Sequence, residues 1–204
     1  EAGLLLLPGT AASIITSLLV AVLVRYFSAG TVLGVAMIVG AAGAGVLVGL
    51  AADSGPALFI AGFVLVGAGV GVSLTLTSEL VVSAVEPERA GAASAVSETA
   101  YELGIALGVA ILGTVVMAFF RRGIDVSLLT PELGADASET LGGAREVARG
   151  LPDSAATALM DSANAAFVSG MHVAAVATAV VLAVTSVFVL LNLRQRQDSS
   201  TAKE

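Results

Sequence analysis

Apolar residues run along this chain in blocks of about twenty or more, the length a helix needs to cross the hydrocarbon core of a bilayer. Leu4 to Val24 is the first block and stops at Arg25; Thr31 to Leu50 is the second, closed by Asp53-Ser54-Gly55-Pro56. Ala57 to about Val85 is the third, its last turns becoming polar through Thr75, Thr77, Ser78, Glu79 and Ser83. Ala90 to Phe120 is the fourth, ended by Arg121-Arg122, and Phe167 to Leu193 is the fifth. None of these blocks shows the two-residue alternation of a barrel strand, so helical spans are the expectation. The links are short, which makes neighbouring spans antiparallel.

Residues 123–164 interrupt this pattern. Seven glycines and prolines punctuate the stretch between Gly123 and Pro152, and its seven acids (Asp125, Glu132, Asp136, Glu139, Glu146, Asp153 and Asp161) face only Arg145 and Arg149. A solvated acidic loop is expected, with one or two short amphipathic helices around 138–149 and 153–164. A lid or substrate funnel is the alternative. The domain reading is therefore 1–122 with four spans (4–24, 31–50, 57–85 and 90–120), the loop at 123–164, a last span within 165–193 and a tail at 194–204.

Composition agrees with the pattern and removes several kinds of chemistry. Hydrophobic residues make up 57% of the chain, charged residues 12%, and the mean hydropathy is +0.99, against roughly 25% charged in soluble domains. The chain reads as an all-α integral membrane protein whose first partner is the lipid bilayer. It has no cysteine, which excludes thiolate metal sites and cysteine nucleophiles; nothing points to a cofactor, a metal or an enzyme. Nine basic residues against sixteen acids leave no footprint for nucleic acid. The chain opens on Glu1 and enters an apolar run at once, and so reads as a portion of a longer membrane protein.

Orientation follows from the basic residues near the span ends. A cytoplasmic tail puts Arg25, Arg89, Arg194, Arg196 and Lys203 on the inner side and Arg121 and Arg122 on the outer side. Arg145 and Arg149 lie at or beyond the reach of the positive-inside rule, about 15–20 residues from a span, and the balance favours an internal tail and an external loop.

Three small-xxx-small pairs, Gly45 with Gly49, Gly67 with Gly71 and Gly104 with Gly108, mark expected sites of close helix packing. The residues with candidate chemistry are acids within spans. Glu98 and Glu102 stand four apart on one face of the fourth helix, at a rise of about 1.5 Å per residue some 14 Å and 20 Å from Arg89. An acid at a helix centre costs about 2.5–3.5 kcal/mol, so such residues face a bundle interior or a water-filled cavity. Stacked like charges in a low dielectric also favour uptake of a proton, which is what a proton-coupled site requires. The alternative is structural: hydrogen bonds to neighbouring helices, or a pairing with Arg89 at a gate. Glu79 is shallower and, like Arg89, is read as a gate or interface residue. His172, beside Met171 near the outer end of the last span, is read as an interfacial or hydrogen-bonded histidine rather than a proton relay.

The stretch EPERAGAASAVSETAYELGIALGVAILGT, Glu86 to Thr114, resembles the penultimate helix of the 14-helix drug:proton antiporter branch of the major facilitator superfamily. GLLLLPGT at Gly3 to Thr10 is similar to that branch's tenth helix, and AAFVSGMHVAAV at Ala165 to Val176 to the start of its last. The resemblance implies a chain corresponding to helices ten to fourteen, five helices forming most of the C-terminal bundle, with the acidic loop external and the Glu86 to Arg89 turn cytoplasmic. It also implies as partners an N-terminal half outside this chain, a small-molecule substrate and protons, and as function a proton-coupled exporter of drugs. The Gly-Pro pair of the antiporter motif has no counterpart between Ala90 and Phe120, which contains no proline. Export of a lipid, a siderophore or a self-made antibiotic is the alternative within transporters. A membrane-embedded sensor or interaction module using the acidic loop is the alternative outside them.

Overall fold

The computed structural model of the chain describes residues 2–49 and 55–201, with side chains described for 3–49 and 55–191. Among the described residues seven α-helices follow one another: α1 (Ala2–Tyr26), α2 (Ala29–Val48), α3 (Pro56–Ser83), α4 (Ala90–Gly123), α5 (Pro131–Glu139), α6 (Leu141–Arg149) and α7 (Asp153–Thr201). Five of them, α1 to α4 and α7, are long and apolar enough to cross a membrane. The expected closure of the second span at Leu50 and Asp53-Ser54 lies outside the described residues, as does Lys203 of the tail; Arg194 and Arg196 lie beyond the described side chains.

Prolines set several of the boundaries. Pro56 opens α3 after an extended Gly55, where a missing N–H is harmless because no helical acceptor precedes it. Pro87 follows the end of α3 and starts a single 3-10 turn, Pro87–Arg89, in which Arg89 N donates to Glu86 O at 2.9 Å. That turn hands the chain to α4.

The helices fall into two compact units. The first holds α1, α2, α3, α4 as far as Gly104 and α7 from Val176. Here α1 and α3 run parallel in constant register: Gly9 lies against Gly67, Ser13 against Gly71, and Ser17 Oγ is 2.6 Å from Thr75 Oγ1. Small residues at a four-residue spacing on both helices let the backbones approach, the device by which membrane helices gain dispersion contacts without a hydrophobic drive. Thr16 Oγ1 adds a bond across the seam to Ala68 O at 3.1 Å. On the other side of α3, a Cβ at Gly43 of α2 would come within 2.7 Å of Gly62 O and of Leu65 Cβ. Ser186 of α7, fully buried, donates to Gly34 O of α2 at 2.8 Å. Val20, Val32, Leu33, Ala36, Val72 and Leu76 fill the centre of this unit.

The second unit holds α4 from Ile105, α5, α6 and α7 as far as Ala175. Its core is Phe120, Ile124, Ala137, Ala144, Ala148, Leu159, Ala163 and Ala166, so most of the stretch expected as a solvated loop packs around an apolar centre. Thr130 caps α5 by accepting from Leu133 N, and Thr140 caps α6 by accepting from Gly143 N at 2.9 Å. The short helix expected around 138–149 is α6, which starts at Leu141, while α5 before it was not expected. The turns at 153–164, expected as a separate helix, are the first part of α7, which continues without a break into the last span. No residue between Asp153 and Phe167 is a glycine or proline, so nothing there stops the helix once Pro152 has opened it.

Candidate functional site

α4 carries both acids of the candidate site. About 48 Å of helix separates Arg89 from Arg121, so a core of about 30 Å centred between them starts roughly 9 Å from either end. By the same rise, Glu98 lies about 5 Å and Glu102 about 11 Å inside that core. Within the first unit, the side of α4 turned toward its neighbours carries Ala93, half-buried, Ser97, 9% exposed, and Tyr101, half-buried. Tyr101 Oη donates to Leu74 O of α3 at 3.3 Å, tying α4 to α3 one residue before Glu102. At about 100° per residue, Glu98 and Glu102 sit some 60° and 100° around the helix from Tyr101. Both carboxylates are exposed. They share a face with each other, and the packing side is a different one.

The other predicted residues are placed as follows. Glu79 is exposed on α3, one turn beyond Thr75 in the row that meets α1. Arg89 is exposed and forms a loose ion pair with Glu86 at 3.9 Å. Gly67 and Gly71 lie in the α1 contact, whereas Gly45, Gly104 and Gly108 have nothing within 4 Å of a Cβ built on them, and Gly49 is exposed. In α2 the close approaches fall at Gly34, Gly40 and Gly43. His172 is half-buried in α7, in the second unit. Among the described residues no group of three His, Asp or Glu side chains is arranged to hold a metal.

Reading spans and acids alone overlooked the α1 side of the seam. Gly9, Ser13 and Ser17 repeat at the four-residue spacing of Gly67, Gly71 and Thr75, and that match was available in the sequence. The core of the second unit was hidden for another reason. It is built largely of alanines, which carry little hydropathic signal among so many charged neighbours. At its edge Asp125 Oδ1 accepts from Ser127 N at 3.0 Å, and hydrogen bonds from the Ser127 side chain and backbone hold the Asp125 carboxyl below the usual carboxylate range.

Known proteins resemble this chain over most of its length. It is 43% identical over 157 residues to the multidrug efflux pump LfrA of Mycolicibacterium smegmatis, a match covering 76% of this chain and 31% of that protein. It is 34% identical over 148 residues to the tetracenomycin C resistance and export protein of Streptomyces glaucescens, covering 72% of this chain and 26% of that protein. A third relative is the methyl viologen resistance protein SmvA of Salmonella typhimurium, 33% identical over 95 residues, which are 46% of this chain and 19% of that protein. No protein-family model matches the chain. The chain thus spans about a third or less of the length of the relatives it matches, and within that third it is an all-α, multi-pass membrane protein. On these similarities, with its five apolar helices, the chain resembles the C-terminal part of major facilitator superfamily transporters of the drug:proton antiporter branch.

Proposed function

We propose that this chain supplies helices ten to fourteen of a 14-helix, proton-coupled exporter of small molecules, working against an N-terminal half that lies outside it. One observation carries the reading: Glu98 and Glu102 stand exposed inside the span of α4, on a face that none of the described residues covers. Turned to lipid, an acid at the helix centre costs about 2.5–3.5 kcal/mol, and Glu102 lies nearer to that depth than Glu98. A face with two of them is tolerated where it lines a polar cavity against a second bundle, near the midplane where secondary transporters bind substrate. The relatives named for multidrug efflux, tetracenomycin C export and methyl viologen resistance support a small-molecule cargo.

The cycle runs on charge. A proton taken up from outside neutralises the carboxylate pair and releases a substrate held there; loss of that proton to the inside restores the binding charge. Glu102, the deeper acid, is the principal coupling residue, Glu98 its partner, and Glu79 and Arg89 stand at the inner gate. The tail and the Glu86 to Arg89 turn are cytoplasmic, and the acidic stretch with α5 and α6 lies outside. Replacing Glu102 by Gln in the full-length protein tests this: efflux driven by a pH gradient should fall at least tenfold. Unchanged pH-driven efflux would remove Glu102 from the coupling role.

The tetracenomycin C relative favours a second reading within transporters, export of an antibiotic made by the producing cell. Competition between tetracenomycin C and a quaternary ammonium dye for efflux separates the two. The packed core of the second unit supports a further role as an external interaction or sensor module. Deleting residues 136–153 abolishes partner binding in that case and leaves basal flux in a transporter.

A further inference from the structure

Tyr101 joins the acidic stretch of α4 to the neighbouring helix. Its hydroxyl donates to Leu74 O of α3 at 3.3 Å, longer than the roughly 2.5–3.0 Å of an ordinary O–H···O bond. Leu74 lies inside α3, so its carbonyl also serves that helix's own ladder and offers the tyrosine only its second lone pair. A tie of this kind gives way to a better acceptor, and one stands within reach. Glu98 precedes Tyr101 by three residues, the spacing at which helical side chains meet, and an aromatic side chain on a helix leans back over the preceding turn. Glu98 is exposed, so packing does not hold its carboxyl away. Protonated, that carboxyl offers the tyrosine nothing stronger than a carbonyl does. Ionised, it accepts O–H bonds of about 2.5–2.7 Å that are roughly twice as strong as neutral ones. Glu102 cannot play this part, because adjacent residues on a helix do not face each other.

We propose that Tyr101 is a positioning residue whose hydroxyl bonds Leu74 O while Glu98 is neutral and turns to the Glu98 carboxylate when it is charged, so that protonation seats α4 on α3 and deprotonation releases it. The tyrosine neither gains nor loses a proton; only its acceptor changes. This rests on the reading of α4 as the proton-coupled helix. Glu102, one turn from Glu98 on the same face, is the charge that bears most on it. On α3, Glu79 comes five residues after Leu74 and so points about 140° away from it. Arg89 lies about 14 Å before Glu98 along the chain's rise and is paired with Glu86. α1 adds Arg25 and Tyr26 in its last turn, and the described side chains of α2 and of α7 from Val176 include no titratable group.

The test measures the α3–α4 spacing in the full-length protein in nanodiscs. Val70→Cys on α3 and Leu103→Cys on α4, both at exposed positions, carry a nitroxide pair whose distances are read by double electron–electron resonance. Raising the pH from about 5 to about 8, which ionises carboxyls and spares the phenol, should increase a longer-distance population about threefold or more. Glu98→Gln should keep the short distance at both pH values. Tyr101→Phe, which can donate to neither acceptor, should show the long one at both. These opposite locked states are a signature that mere loosening of the helix does not give. A spacing in the otherwise unchanged protein that ignores pH overturns the proposal, and that result needs neither variant to fold. A pH response that survives Glu98→Gln or Tyr101→Phe overturns it too. The coupling role is judged separately: unchanged pH-driven efflux in Glu102→Gln removes that role and leaves the spacing response standing, while a flat spacing with efflux lost in Glu102→Gln does the reverse.

Discussion

Gly71→Val measures how much the parallel α1–α3 seam holds the first unit together. A Cβ at Gly71 falls 2.6 Å from Thr16 Oγ1 and 2.8 Å from the Ser13 carbonyl carbon, and closer still to Ser13 O, where ordinary contact begins near 3.4 Å. α1 must therefore retreat by about 1 Å, and a shift of that size takes a bond of about 2.6 Å beyond hydrogen-bonding range. The Ser17–Thr75 and Thr16–Ala68 bonds, now 2.6 and 3.1 Å, would both be lost. Overpacking costs about 1–3 kcal/mol and each interhelical bond in a membrane about 0.6 kcal/mol, so the expected loss is about 2–4 kcal/mol. Gly45→Val is the matched control, because nothing lies within 4 Å of a Cβ there, and it should cost less than about 0.5 kcal/mol. The measurement is equilibrium unfolding of the full-length protein in mixed micelles with increasing dodecyl sulfate, followed by quenching of a dye pair on α1 and α3. A Gly71→Val protein as stable as Gly45→Val would refute the reasoning.

Two further outcomes concern the second unit. Phe120 is fully buried and meets Phe167 edge-on with ring centroids 6.5 Å apart, so Phe120→Ala should remove about 3–5 kcal/mol and open α5 and α6 to hydrogen exchange. Asp125 has its carboxyl lowered by Ser127, so its contribution is fully present above the unfolded carboxylate value and fades as pH falls through the lower folded one. Exchange at the Ser127 amide, followed downward from pH 5, should speed up beyond the intrinsic rate in the native protein, and Asp125→Asn should abolish that pH dependence.

The five spans were legible because a bilayer forces them to be. Backbone groups in hydrocarbon must bond within their own segment, and a crossing takes about twenty residues, so length and apolar composition alone located α1 to α4 and the membrane part of α7. The acids of α4 were legible for the related reason that charge within such a segment is rare. Helix contacts were not legible in the same way. Each glycine pair fits a close approach equally well, and which pairs are used depends on the neighbour present: Gly67 and Gly71 meet Gly9 and Ser13, while Gly104 and Gly108 meet nothing among the described residues.

By itself, then, the sequence determined that this is an all-α protein crossing a membrane five times, that Glu98 and Glu102 share one face, and which transporter family it resembles. Those properties follow from periodicity and solvent, which act residue by residue. Only the tertiary structure decided that the acids lie off the packing side of α4, and that the acidic stretch closes around Phe120 and a set of alanines. It alone showed that α1 and α3 meet in parallel through hydroxyls. Those properties depend on which surfaces meet across long separations in the chain, and no local pattern records that choice.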